Sequence, residues 1–588
     1  MSRFNRFLAW LGGLTLLSII LMVIVVIAVS YGKKRIPAKT ILELNLERET
    51  IEDIPDDAVA KAMLRDRLVV RDVVDALDRA ADDKRVVGLV ARVGAAGMGT
   101  ATTQEIRDAV LRFRAKKKFA VAFSETFGEF GPGGNSYYLA TAFDEIWLQP
   151  SGDIGLTGAI AESPFLRGTL EKLGMRFRGD HRYEYKSALN LFTETKYTPA
   201  HREATAAVIN SLFGQHVRGI AEARKISAEE VRTLIDRGPF LGREGVDAKL
   251  VDGVAYRDEV YDKVKKRAGD GAELLYSEKY LERAERPHTK GKSVALIFGV
   301  GSVQRGKSGF NGLMGDVHMG SDTVTAAFRA AVEDKDVKAI VFRIDSPGGS
   351  YVASDAIWRE VVRARKAGKP VVATMSDLAG SGGYFVAMAA DKIVAQPGTI
   401  TASIGVLGGK FLTSGFWNKA GLSWDEVHTS ANATMWTGTH DYTASEWQRF
   451  QAWLDRVYVD FTSKVADGRK LPKERVLQVA KGRIWSGEDA KNLGLVDELG
   501  GYATALSLAK KAANIPETED VNIVVFPKRK KLIEVLLSEG AESSEREAVE
   551  AAIVRTVEAV QPLARRLRLL SPAEQQDVLR MPEVEMSR

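Results

Sequence analysis

The chain has 588 residues, 45% of them hydrophobic and 53 of them glycine, which is material for two or more independent cores and excludes disorder over most of its length. Its net charge of +6 at pH 7 is slight for that size, and lysines and arginines are interspersed with acids rather than gathered into a stripe, so no nucleic-acid partner is expected. Cysteine is absent, which excludes disulfides, thiolate metal sites and a cysteine nucleophile.

Phe7 to Tyr31 is an uncharged run of 25 residues, and about 20 suffice to cross the hydrocarbon core of a membrane. A cleaved signal peptide would carry an apolar core of only about 7 to 15 residues. Residues 1–36 are therefore read as an uncleaved, single-pass membrane anchor. Arg3 and Arg6 before the run nearly balance Lys33, Lys34 and Arg35 after it, so charge alone does not set its orientation.

Beyond the anchor, Thr40 to Leu46 alternates like a strand, and Val69 to Ala80 has helical spacing. The stretch from Asp83 to Val93 (DKRVVGLVARV) then reads like Asp334 to Ile344 (DKDVKAIVFRI), at an offset of 251. Asp144 to Pro150 (DEIWLQP) likewise reads like Asp391 to Pro397 (DKIVAQP), and Gly158 like Gly405, both at an offset of 247. Gly253-Val254 echoes the end of GLVDELGG at Gly494 to Gly501. Order and spacing kept over such a length point to two copies of one domain, too few for a solenoid.

Each copy runs strand, helix, strand, helix, strand, then a long helical segment, Ala200 to Asp236 or Ser445 to Val479. Helices between strands at this spacing predict an α/β fold with mostly parallel sheets covered on both faces. The expected divisions are a first repeat over 37–283, a polar linker over 284–292, a second repeat over 293–515 and an extension over 516–588. The extension opens on a strand-like run, Val521 to Phe526, and is otherwise expected to be helical or partly disordered.

Two glycine turns in the second repeat carry the chemistry, Ser346-Pro347-Gly348-Gly349 and Ala379-Gly380-Ser381-Gly382-Gly383, each after a strand-like run. A serine among small residues at such a turn is exposed while backbone N–H groups point the same way, which builds a nucleophile and an oxyanion hole together. Ala379 stands where the G-x-S-x-G elbow of other hydrolases needs glycine. In the first copy Gly134 falls opposite Ser381. Conversely, Lys186, in Tyr185-Lys186-Ser187-Ala188, falls opposite threonine in Val427-His428-Thr429-Ser430-Ala431. One repeat would then supply the nucleophile and the other a lysine base, whose ammonium form burial disfavours.

The combination of SPGG, AGSGGY, TASIGV and YKSA over residues 1 to 535 resembles the long, two-domain form of bacterial signal peptide peptidase A. That family comprises membrane-anchored serine proteases related to the Clp protease proteolytic subunit and the crotonase fold. The resemblance implies Ser381 as nucleophile, Lys186 as general base, Ser403 of the SIG motif as the residue that holds the lysine, and Gly348 or Gly349 with Gly382 as oxyanion donors. It implies leftover signal peptides and similar apolar peptides as substrates, a homo-oligomer of several protomers, a tetramer, and a bacterial inner membrane location with the catalytic domains on the periplasmic side. Asp345 stands where relatives often carry asparagine.

Other readings remain open at this stage: a crotonase-like acyl-CoA enzyme, an inactive membrane scaffold, or an ATPase. The last rests on Gly301 to Ser308, which satisfies G-x-x-x-x-G-K-S. A phosphate loop must, however, lead straight into a helix, and Gly309 to Gly315 is not helical in pattern. No cofactor or metal is expected, because the histidines at 181, 201, 216, 288, 318, 428 and 440 show no ligand spacing. His428 and His440 are the alternative bases to Lys186.

Overall fold

The computed structural model describes residues 35–94, 97–313, 315–528, 579–581 and 585–586. The expected anchor lies outside the described residues, and among these no helix is long and apolar enough to cross a membrane.

The first sheet is built from β1 (Thr40–Asn45), β2 (Val86–Arg92), β3 (Phe119–Ser124), β4 (Glu145–Leu148), β5 (Gly253–Val254) and β6 (Glu273–Tyr276) in the order β5-β4-β3-β2-β1-β6. Every pairing in it is parallel. The second sheet contains β7 (Lys292–Val300), β8 (Val337–Ser346), β9 (Val371–Gly380), β10 (Lys392–Ala395), β11 (Ile400–Ala402), β12 (Ile484–Ser486), β13 (Glu498–Leu499) and β14 (Val521–Phe526). Its path is β12-β11-β9-β8-β7-β14, with β10 beside β9 and β13 beside β10, and only β11 with β12 is antiparallel.

Strands buried on both faces must be apolar almost throughout, and β8 meets that demand. Ile340 and Phe342 belong to the larger core on one face, Ala339 and Val341 to the smaller core under Tyr502, Ala505 and Leu506 on the other. The two repeats also reuse the same polar clasps. Tyr137 Oη donates to Leu250 O (2.7 Å) as Tyr384 Oη donates to Leu495 O (2.9 Å). Asp252 accepts from Ile146 N (2.7 Å) as Asp497 accepts from Ile393 N (2.8 Å).

The long helical segments are each broken in two, which periodicity alone does not reveal. Pro199–Arg224 is followed by Ala228–Arg237, and Ala444–Arg469 by Lys473–Val479. Lys225 and Lys470 end the first helix of each pair in the left-handed region, at φ 56° and 54°. Ser227 then caps one new start and Pro472 precedes the other. Val521 to Phe526 forms the expected strand, β14. Most of the remaining extension lies outside the described residues, and its described parts, Leu579–Arg580 and Glu585–Met586, are strands rather than helix. After Gly301 the chain runs into strands Ser302–Gln304 and Gly309–Asn311, and a helix begins only at Ser321. The GKS stretch therefore lacks the helix N-terminus that a nucleotide phosphate needs.

The repeats are stitched together by an antiparallel pair, Arg176–His181 of the first with Leu407–Leu412 of the second. This pairing carries the loop that follows His181, with Lys186 in it, onto the second sheet.

Candidate active site

The ends of β8 and β9 lie side by side, with Ser346 opposite Ala379. Asp345 Oδ1 accepts from Leu378 N (2.9 Å) and ties the two ends together. Burial, with the nearby charges of Asp377 and Glu52, pushes the Asp345 carboxyl up to about 8, so at neutral pH it is mostly a neutral group. Past these ends both glycine turns fold toward each other. A Cβ added to Gly382 would lie 3.0 Å from Gly349 N and 2.8 Å from Ser354 Oγ, so only glycine lets the turns close this far. Gly348 N donates to Ser346 Oγ (3.2 Å).

Ser381 sits between β9 and the short helix Gly382–Ala387 at φ 53°, ψ −113°, a conformation costly for a residue with a Cβ and kept only where neighbours impose it. Here they do. Ser381 N donates to Ala402 O (2.7 Å), and Ser381 O accepts from Phe385 N (2.9 Å).

Lys186 precedes the 3₁₀ turn Ser187–Leu189, and its side chain reaches into the second repeat. Its Nζ lies 2.8 Å from Ser381 Oγ, 3.0 Å from Ser403 O and 3.0 Å from Ser403 Oγ. Lys186, Ser381 and Ser403 are all fully buried, and burial holds the Lys186 amine well below the usual lysine range. The three contacts suit a neutral amine. Ser403 Oγ donates its own proton to Gly482 O (3.3 Å), so it and Ser403 O accept the two N–H groups of an –NH₂. One lone pair remains for the Ser381 hydroxyl to donate into.

The structure thus brings together Ser381, Lys186 and Ser403, with Gly348, Gly349 and Gly382 at the facing turn. It does not bring in His428 or His440, whose Nδ1 atoms lie 3.7 Å and 3.5 Å from Glu426 instead.

One residue here escaped the motifs. Gly482 has φ +83°, and a Cβ on it would lie 2.5 Å from Lys186 Cβ and 2.6 Å from Lys186 N. Its stretch, Lys481-Gly482-Arg483, looks like an ordinary turn in sequence. Gly482→Ala is expected to push the lysine off the serine and lower kcat/KM by roughly a hundredfold, the scale set by a misplacement of about 1 Å. Circular dichroism should show the fold retained.

The sequence pattern of peptidase family S49 matches this chain twice, over residues 113–270 and 363–516. The chain belongs to peptidase family S49. It is a serine protease, and neither acyl-CoA chemistry nor nucleotide hydrolysis gains support from the family or the fold. Protease 4 of Salmonella typhi is 32% identical to this S49 peptidase over 458 residues, which cover 76% of this chain and 72% of that one. Protease 4 of Haemophilus influenzae is 29% identical over 528 residues, 85% and 83% of the two chains. The chloroplastic serine protease SPPA of Arabidopsis thaliana is 30% identical over 455 residues, 76% and 66%. A ClpP1 variant from Listeria monocytogenes superposes on 36% of the S49 peptidase at 15% identity with a TM-score of 0.24, too low to carry an argument about fold.

Proposed function

We propose that this S49 peptidase cuts apolar peptides, cleaved signal peptides among them, with a dyad of Ser381 and Lys186 shared between its two repeats. Ser381 Oγ attacks the peptide carbonyl carbon while Lys186 Nζ takes the hydroxyl proton. The tetrahedral oxyanion is held by the N–H groups of Gly382 and of Gly348 or Gly349. Lys186 returns the proton to the leaving amine, and water, deprotonated by the same amine, releases the acyl group. Ser403 orients Lys186 through its carbonyl and hydroxyl. The repeat over 37–283 carries the base and that over 293–515 the nucleophile, while Phe7 to Tyr31 anchors the protein in a bacterial inner membrane with both repeats on the periplasmic side. Several copies assemble into a homo-oligomer.

The reading rests on one distance, the 2.8 Å between Lys186 Nζ and Ser381 Oγ, made within one chain. A fluorophosphonate is the direct test. Mass spectrometry should find the phosphonyl group on Ser381, and Ser381→Ala should abolish both labelling and cleavage of an apolar peptide. A label on another residue, with Ser381→Ala still active, would remove the dyad from the mechanism.

A further inference from the structure

A segment far along the chain lies against the catalytic turns. Leu579–Arg580 forms an antiparallel strand on Gly348–Gly349, with Arg580 opposite Gly348 and Leu579 opposite Gly349. Met581 N continues the ladder by donating to Pro347 O (2.9 Å). Further on, Glu585–Met586 pairs antiparallel with Ala161–Glu162 of the first repeat. One stretch of chain therefore runs across the cleft between the two repeats.

The register sets Met581 at the serine. Its backbone faces Pro347, the residue before the oxyanion glycines, and its side chain packs on Gly380, the residue before Ser381. A Cβ added to Gly380 would lie 2.4 Å from Met581 Sδ. The Met581 side chain is 3% exposed. It sits among Ala204, Val208 and Leu212, from the first-repeat helix Pro199–Arg224, and Ile400 and Ile484 from the second-repeat sheet. An extended peptide that adds a strand to a sheet edge and drops a side chain into a pocket is a general mode of peptide recognition. Residues 529–578, at about 3.3 Å per extended residue, are long enough to lead from Lys528 to the cleft.

We propose that residues 579–586 are a built-in competitive occupant of the substrate cleft, with Met581 filling the side-chain pocket next to Ser381. The proposal builds on the dyad reading above, and adds both the occupant and the preference of that pocket for a flexible, unbranched apolar side chain. The next residue is Pro582, whose ring carbon replaces the hydrogen on the leaving nitrogen. That makes the bond after Met581 a poor one to cut, so the segment acts as a plug and not as a substrate.

The test uses the full chain. Met581→Asp should raise the rates of fluorophosphonate labelling and of apolar-peptide cleavage about fivefold or more, because apparent reactivity scales with the fraction of open clefts. A synthetic peptide of residues 576–586 should then inhibit the variant by raising KM with kcat unchanged. Rates that do not rise, or a peptide that does not compete, would overturn the plug. Labelling of the wild-type chain should be unchanged on dilution, and a rate that rises on dilution would overturn its placement within one chain. A binding assay separates this proposal from the chemistry. The fluorescent 576–586 peptide should bind the Ser381→Ala, Met581→Asp double variant and not Ser381→Ala alone, whether or not Ser381 is the nucleophile.

Discussion

Lys186→Met yields a folded protein that has lost its peptidase activity by about a thousandfold or more and that withstands heat better than the parent at neutral pH. Both results come from the same buried nitrogen. The amine has only Ser381 and Ser403 as polar neighbours within hydrogen-bond reach, so nothing charged compensates its ammonium form and burial depresses its pKa from 10.5. Below the depressed value the proton is held in both folded and unfolded states, and the desolvation cost of the cation is felt in full. Between that value and 10.5 the unfolded chain binds more protons than the folded one, so stability climbs as pH rises. Methionine removes the ionisable group while filling similar volume, and with it the slope. Activity follows the same titration, because only the free amine accepts the serine proton. The wild-type rate should therefore rise with pH through a midpoint well below the usual lysine range. A stability difference between variant and parent that does not shrink as pH is raised toward 10.5 would show that Lys186 is not buried as an unpaired amine.

The duplication was readable from the sequence because the residues that repeat, DKxV before the second strand and D-x-I before the fourth, are those that close each sheet. Asp144 and Asp391 accept from Ala120 N and Val371 N at the strand starts (2.8 and 2.9 Å), and such backbone clasps tolerate little change. Comparing the copies also isolated Ser381 and Lys186, since each has no equivalent in the other half. What stayed hidden is what depends on pairing distant segments. Neither the antiparallel pair Arg176–His181 with Leu407–Leu412 nor the contact of Gly482 with Lys186 leaves a periodic mark. The breaks after Lys225 and Lys470 were missed because a left-handed residue is a backbone property that lysine does not advertise. Leu579–Met581 is three residues long, and no local pattern says which sheet edge it will meet.

Arg343→Met should destabilise the protein by about 3 to 5 kcal/mol, the usual consequence of removing one partner from a buried ionic cluster. Arg343 lies on β8, whose end leads into the SPGG turn, and both its carboxylate partners come from the first repeat. Its Nη2 donates to Glu52 Oε1 (2.7 Å) and Glu105 Oε2 (2.6 Å), and its Nε to Glu52 Oε2 (2.8 Å). All three side chains are buried. Burial pushes the Glu52 carboxyl up, but the charge of Arg343 and the hydrogen bonds from Arg343 and Ser376 outweigh it and leave Glu52 below the usual carboxylate range. For Glu105 burial prevails over the same arginine and raises it. The cluster thus amounts to one guanidinium, one firm carboxylate and one acid that protonates readily. Without Arg343, Glu52 has lost the charge that kept it ionised, and the seam that presents Lys186 to Ser381 has lost its main polar tie. Thermal unfolding should shift down, and kcat should fall even where the variant is folded, because the dyad spans that seam. The triple variant Arg343→Met, Glu52→Leu, Glu105→Leu separates the causes, since replacing a whole buried ionic cluster by apolar groups is often neutral or stabilising. It should regain most of the stability lost by Arg343→Met while kcat stays low, because an apolar seam holds the repeats together without fixing their register. If the triple variant instead recovered full activity, the cluster would have no part in aligning the two repeats.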